Sequence, residues 1–181
     1  KDLNHDGVID SNDQAPIGYN PVPEMTFSLA AGLNWKGIDF SILLQGAARS
    51  SIYLQQDIAW DNFWGNYYEE HIGRWTPETA ATATYPRFTK AATAAHPNYY
   101  KSDYWLKDSK YLRLKNIQLG YTIPRKLLKK FGVRSLRVYA NAYNLFTWDN
   151  VKKVDPESSN NSNGQFYPQQ KVINFGINLN F

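Results

Sequence analysis

The stretch Val172-Ile173-Asn174-Phe175-Gly176-Ile177-Asn178-Leu179-Asn180-Phe181 decides the fold. Ile173, Phe175, Ile177, Leu179 and Phe181 share one parity, while Asn174, Gly176, Asn178 and Asn180 share the other. Side chains of an extended backbone leave alternately to its two faces, so a period of two predicts a strand over 171–181 with one apolar and one wet face. The sequence stops on the aromatic Phe181, with no tail. An open aromatic end has no use in a soluble sandwich but suits a membrane barrel, and Phe181 is read as an assembly signal.

The same alternation recurs upstream. Over 25–35, Phe27, Leu29, Ala31, Leu33 and Trp35 interleave with Thr26, Ser28, Ala30, Gly32 and Asn34, and over 38–48, Ile38, Phe40, Ile42 and Leu44 interleave with Asp39, Ser41 and Gln45. The Lys36-Gly37 pair between them predicts a hairpin turn. A further strand over 135–146 sets Leu136, Val138, Ala140 and Ala142 against Arg137, Tyr139, Asn141 and Tyr143. Over 111–122 the parity switches between Leu112 and Leu114 and then Ile117, Leu119 and Tyr121, which predicts a bulge near Lys115-Asn116. Pro124 and Gly132 bracket a compact turn before the next strand.

The composition fits a wall between lipid and water. The chain carries 13 Tyr, 9 Phe and 6 Trp at a mean hydropathy of -0.56, the mixture that alternating barrel strands produce. No apolar run approaches the roughly 18 residues of a transmembrane helix. Cysteine is absent, which removes disulfides, thiolate metal sites and cysteine catalysis. The net charge of +4 is small, and its one cluster, Arg125, Lys126, Lys129 and Lys130, is read as a solvated turn rather than a nucleic-acid patch. The chain opens on Lys1, without an initiator Met or signal peptide, and is expected to continue a longer protein.

The expected fold is therefore all-β: about five C-terminal antiparallel strands of a transmembrane β-barrel. Residues 1–24 form a loop and 25–181 the strands, with long loops over about 49–110 and 147–170. Compact soluble domains connect their elements through about 4 to 6 residues, whereas outer-membrane barrels alternate short periplasmic turns with long extracellular loops. Counting back from a periplasmic C-terminus places Lys36-Gly37 and the Pro124 to Arg134 turn inside, and every long loop outside.

Short motifs lie along this framework: Asp2-Leu3-Asn4-His5-Asp6-Gly7-Val8-Ile9-Asp10, Leu44-Gln45-Gly46, Arg74-Trp75-Thr76-Pro77-Glu78, Tyr85-Pro86-Arg87-Phe88, Trp105-Leu106-Lys107-Asp108, Tyr111-Leu112-Arg113-Leu114-Lys115-Asn116, Asn144-Leu145-Phe146-Thr147 and Asp155-Pro156-Glu157. In this order and spacing the chain resembles the C-terminal region of the SusC/RagA family of TonB-dependent outer-membrane transporters of Bacteroidetes. The resemblance implies a barrel of about 22 strands with an N-terminal plug. It also implies energy supplied through TonB by the part preceding this chain, a SusD-like surface lipoprotein as partner, and oligosaccharides or peptides as substrates.

The opening segment carries its own chemistry. Asp2, Asn4, Asp6, Asp10 and Asp13 occupy positions 1, 3, 5, 9 and 12 of a calcium loop, with Gly7 at the sharp turn and Val8 offering its carbonyl. Hard oxygen ligands suit Ca²⁺. Asp13 replaces the bidentate Glu of an EF-hand and no helix pattern flanks the loop, so a structural ion is expected; the alternative is an Asx-rich turn without one.

Enzymatic chemistry would have to rest on Glu69, Glu70 and His71 with Asp57 and Asp61. Adjacent glutamates in an extended loop point apart, no HExxH or GxSxG motif is present, and no enzyme is expected. Trp60, Phe63, Trp64, Tyr67 and Tyr68 could stack on sugar rings or pack the long loop upon itself, and packing is the favoured reading. The rival to the importer is a secreted, calcium-binding β-sandwich module that binds carbohydrate.

Overall fold

A computed structural model describes residues 2–8, 10–61, 65–90, 96–152, 154–158 and 167–181. The described residues form seven strands: β1 Met25–Trp35, β2 Ile38–Ala48, β3 Ser51–Tyr53, β4 Leu106–Asp108, β5 Tyr111–Thr122, β6 Ser135–Asp149 and β7 Val172–Asn180. The five long ones make one antiparallel sheet in the order β1-β2-β5-β6-β7, and β3 pairs with β4 apart from it. β6 runs three residues past the 135–146 expected from alternation, and the loop over 49–110 contains the small β3–β4 ribbon.

The local chemistry explains this sheet. Lys36 and Gly37 both hold positive φ, 47° and 90°, the geometry that a two-residue hairpin needs to match the strand twist. A Cβ at Gly37 would lie 2.7 Å from the Thr122 carbonyl oxygen, so the turn admits no larger residue without displacement. Between β5 and β6, helix α1 (Arg125–Leu128) starts after Pro124, and Gly132 ends the turn at φ 69°.

The bulge falls at Lys115. β2 pairs Leu43 with Asn116 and Leu44 with Leu114, skipping Lys115, and β6 pairs Tyr143 with Asn116 and Phe146 with Leu114. Asn144, inside the β6 irregularity, takes φ 51°. The skipped residue swaps the parity of β5, so Leu112 and Leu114 join Ile117, Leu119 and Tyr121 on one face.

The register then aligns apolar rows across the whole sheet. Ala31, Ile42, Ile117, Ala142 and Ile173 form one row, and Leu33, Phe40, Leu119, Ala140 and Phe175 the next. Among the described residues nothing covers the outer part of this face: Phe175 is 83% exposed and Ile177 70%. Gly46 lies under the Phe27 ring on the same face, where an added Cβ would meet the ring at 2.4 Å. The opposite rows are polar, such as Gly32, Ser41, Gln118, Asn141 and Asn174. Among the described residues the hydrophobic core cluster lies off the sheet, in the loop over 49–110 together with Val151.

Candidate functional site

Three features carry the chemistry: the polar face of the sheet, the lobe built by the long loop, and the opening segment. On the polar face, Asp39 of β2 and Arg137 of β6 meet across the intervening β5, with Arg137 Nε donating to Asp39 Oδ1 at 2.9 Å. Gly120 makes this possible, because a Cβ there would stand 2.5 Å from both side chains. Arg137 also stacks 4.8 Å over the Tyr139 ring, which in turn covers Gly176 of β7. Asn174 Nδ2 donates to Asn141 Oδ1 at 3.0 Å. The result is a wall of hydrogen-bonding groups, suited to water and polar solutes.

At the loop end of this wall, Arg113 is buried to 2% exposure. Its guanidinium donates to Thr147 Oγ1 at 2.9 Å, Glu157 Oε2 at 2.8 Å and Asp155 Oδ1 at 2.7 Å. Tyr111 donates to Glu157 Oε1 at 2.6 Å, and Lys115 Nζ reaches Glu157 Oε2 at 3.1 Å. Burial pushes the Asp155 carboxyl up, but the Arg113 bond and the Glu157 amide outweigh it and hold the group below its ordinary value. Alternation alone does not reveal this cluster. The available signal is an arginine at a wet position of β5 together with the Asp155-Pro156-Glu157 motif.

The lobe is a small globule around Ile52, Leu54, Ala59, Trp60, Tyr85, Tyr99, Trp105 and Val151, with Phe88 and Val154 at its margin. Val151 follows β6, so both long loops share one core. Asp61, 1% exposed, accepts from the Tyr99 and Tyr85 hydroxyls and from the Thr89 amide at 3.1 Å. Burial first, then the Asp61 charge, raises the Tyr85 hydroxyl far above its ordinary range. His71 is buried; its Nδ1 accepts from the Tyr68 amide at 3.0 Å, so Nε2 carries the proton and donates to the Ala59 carbonyl at 3.2 Å. Asp61 and His71 thus serve the packing of the lobe, while Glu69 and Glu70 are exposed in a 3₁₀ turn, Glu69–Gly73.

Among the aromatics expected here, Trp60 is buried with its ring centroid 4.7 Å from that of Tyr99. Tyr67 is 57% exposed and packs against Phe88 at 5.6 Å, and Tyr68 donates its hydroxyl to the Asp57 carbonyl. Phe63 and Trp64 lie outside the described residues.

In the opening segment the acidic side chains turn onto their own backbone. Asp2 accepts from the His5 and Gly7 amides, Asn4 from Asp6, Asp6 from Val8, and Asp10 from Asn12. Asp13 accepts from the Asp10, Leu3 and Asn4 amides, bonds that hold its carboxyl below the ordinary value, and Gly7 takes φ 84°. The donor set is all hard oxygen, as Ca²⁺ requires. Among the described residues no three acidic or histidine side chains converge on one point, so binding an ion would require the loop to tighten.

No family model matches the chain. It is 30% identical over 197 residues to TonB-dependent receptor P26 of Formosa agariphila, with 99% of this chain and 19% of that protein covered. It is 27% identical over 182 residues to TonB-dependent receptor SusC of Bacteroides thetaiotaomicron, covering 99% of this chain and 17% of the relative. Among solved structures it superposes on the RagAB peptide transporter with a TM-score of 0.70 at 21% identity, over 95% of this chain and 19% of that one. The open-open state of the RagAB peptide importer gives 0.68 at 22%, with 96% of this chain and 19% of that one covered. At that identity the likeness to the solved structures is one of fold. The chain thus spans about a fifth of the length of the proteins it matches.

Proposed function

We propose, from the premise that this chain belongs to the SusC/RagA-type TonB-dependent receptors, that it supplies wall strands and outer loops to an outer-membrane importer of oligosaccharides or peptides. The observation that carries this reading is the two-faced sheet. Its apolar face is continuous over five strands and covered by none of the described residues, as lipid contact demands, and its polar face is a water-compatible lumen wall. The open edges β1 and β7 pair with further strands of a closed barrel, because no free edge survives in hydrocarbon. The hairpin turn at Lys36-Gly37 and the turn holding α1 face the periplasm, and the lobe faces outward. A sandwich module would hide the apolar face in its own core. Fractionation separates the two: receptor in the detergent extract of the outer membrane supports the importer, and native protein free in the medium overturns it.

The lobe is the surface for a SusD-like lipoprotein, and TonB acts through the plug-bearing part of the receptor. Support comes from the lobe's own hydrophobic core, with Ile72 (78% exposed), Tyr67 and Trp75 left on its surface. Shortening residues 65–83 in the full receptor is expected to lower co-purification of the lipoprotein several-fold. Unchanged recovery would move the contact to other loops.

Phe181, 74% exposed beyond β7, is the assembly signal. Its deletion is expected to reduce folded receptor in the outer membrane at unchanged synthesis, measured by immunoblot of unheated membranes; wild-type levels would remove the role.

The opening loop takes a structural Ca²⁺ through Asp2, Asn4, Asp6, Asp10, Asp13 and the Val8 carbonyl. An affinity on the order of 10⁻⁴ to 10⁻³ M suffices outside the cell. Calorimetric titration of chelator-stripped receptor is expected to show heat that Asp6→Ala abolishes. Equal heats from both proteins, or none from the wild type, would refute the site.

A further inference from the structure

The turn between β5 and β6 carries a pattern that neither the lumen wall nor the lobe uses. From Ile123 to Arg134 there are five cations, Arg125, Lys126, Lys129, Lys130 and Arg134, and no acid. Among the described residues none of the five forms an ion pair. Leu128 is buried and anchors the turn, yet Leu127 is 65% exposed and Phe131 75%. Leu127 lies in α1 and Phe131 in the 3₁₀ turn Lys129–Phe131 that continues it, and both leave their apolar side chains uncovered.

The position of the turn says what covers them. It begins directly after β5, whose last side chain on the apolar face is Tyr121, and ends directly before β6, whose first is Leu136. The Ile123 amide donates to the Leu136 carbonyl at 2.9 Å, which closes the turn against the strand ends. On the neighbouring hairpin at the same end, Trp35 ends the apolar row of β1 and Lys36 Nζ lies 4.8 Å over its ring. Trp35 and Tyr121 sit where an aromatic belt meets headgroups, with cations just beyond them.

Resting on the barrel reading, we infer that this turn lies on the phospholipid leaflet at its end of the barrel, with Leu127 and Phe131 among the upper acyl carbons and Arg125, Lys126, Lys129 and Lys130 at anionic headgroup phosphates. An amphipathic element of this kind sinks its apolar side about 5–10 Å into the headgroup boundary. Clustered lysines and arginines without acidic partners repel one another in water, and a phosphate surface relieves that repulsion. Continuity with the lipid face and this charge complementarity favour lipid over a protein partner.

The test uses the full-length receptor, cleared of other cysteines, with an environment-sensitive fluorophore at Leu127→Cys or, as a reference on the lipid face, Phe175→Cys. Each is reconstituted into vesicles of phosphatidylethanolamine and phosphatidylglycerol with brominated acyl chains. Quenching at both positions is expected. Reversing Lys126, Lys129 and Lys130 to Glu should weaken it at position 127 alone, each lysine being worth about fivefold in occupancy at low salt. Quenching at 175 without quenching at 127 overturns the inference: red-shifted emission at 127 then means a turn in water, and blue-shifted emission a turn packed on another part of the receptor. Quenching at neither position overturns the barrel reading and this one with it. Quenching at 127 that ignores the charge reversal overturns the headgroup contact.

Discussion

Arg113→Ala is expected to release the segment around Asp155 and Glu157 from the sheet, at a cost of about 3–5 kcal/mol. The guanidinium is 2% exposed and Asp155 10%, so its removal leaves the Asp155 carboxylate in low-dielectric surroundings without a counter-charge and leaves Glu157 only Lys115. Thr147 loses its donor and the Tyr111 ring its cation at the same time. Val151, four residues before Asp155, belongs to the lobe core, so the loss propagates outward. Lys115→Ala removes only a partly exposed contact to Glu157 and should cost no more than about 1 kcal/mol. The same cluster makes the loop sensitive to acid. Because the Asp155 carboxyl is held below its ordinary 3.8 in the folded state, its contribution is fully present above that value and is lost as pH falls through the lower folded one. Limited proteolysis of the intact receptor reads all of this: faster cleavage between 150 and 171 in the Arg113 variant at neutral pH, and in the wild type only below about pH 4. Equal cleavage of the Arg113 variant and the wild type would show that the cluster does not hold the loop.

The sheet was legible in the sequence because lipid on one side and water on the other force strict alternation, visible within single strands such as Ile173 to Phe181. Even the bulge at Lys115 could be read, since a parity switch inside one apolar strand has no other resolution. What alternation missed is local or distant. β6 continues past Phe146 to Asp149, but the irregularity at Asn144 has already interrupted the period by then. β3 and β4 are three residues each, too short to show a period, and 55 residues separate Ser51 from Leu106 in number. The pair Asp39 with Arg137 depends on register and the pair Arg113 with Glu157 on how the loop after β6 folds back, neither on spacing along the chain. In the lobe, a tryptophan that stacks on a ligand and one that packs a core look alike in sequence, and only burial tells that Trp60 is inside.

Ile42→Arg is expected to lower barrel stability by about 2–4 kcal/mol, whereas the adjacent Ser41→Arg should change it by no more than about 0.5 kcal/mol. Ile42 lies in the row Ala31, Ile42, Ile117, Ala142 and Ile173, close to the middle of the strands, where a cation meets hydrocarbon at greatest depth. Ser41 points the other way, into the polar row with Gln118 and Asn141. Folded receptor in isolated outer membranes, followed by its mobility before and after heating, measures both. Damage from Ser41→Arg instead would mean that the two faces are reversed. The pair alone does not exclude a sandwich, because an arginine in a sandwich core is also costly. Ala31→Phe makes that distinction. Lipid sets no volume limit, so a larger ring on the lipid face should be tolerated, but in a close-packed core the same insertion costs about 1–3 kcal/mol. Wild-type folding of Ala31→Phe together with failure of Ile42→Arg is the outcome that only a lipid-facing sheet produces.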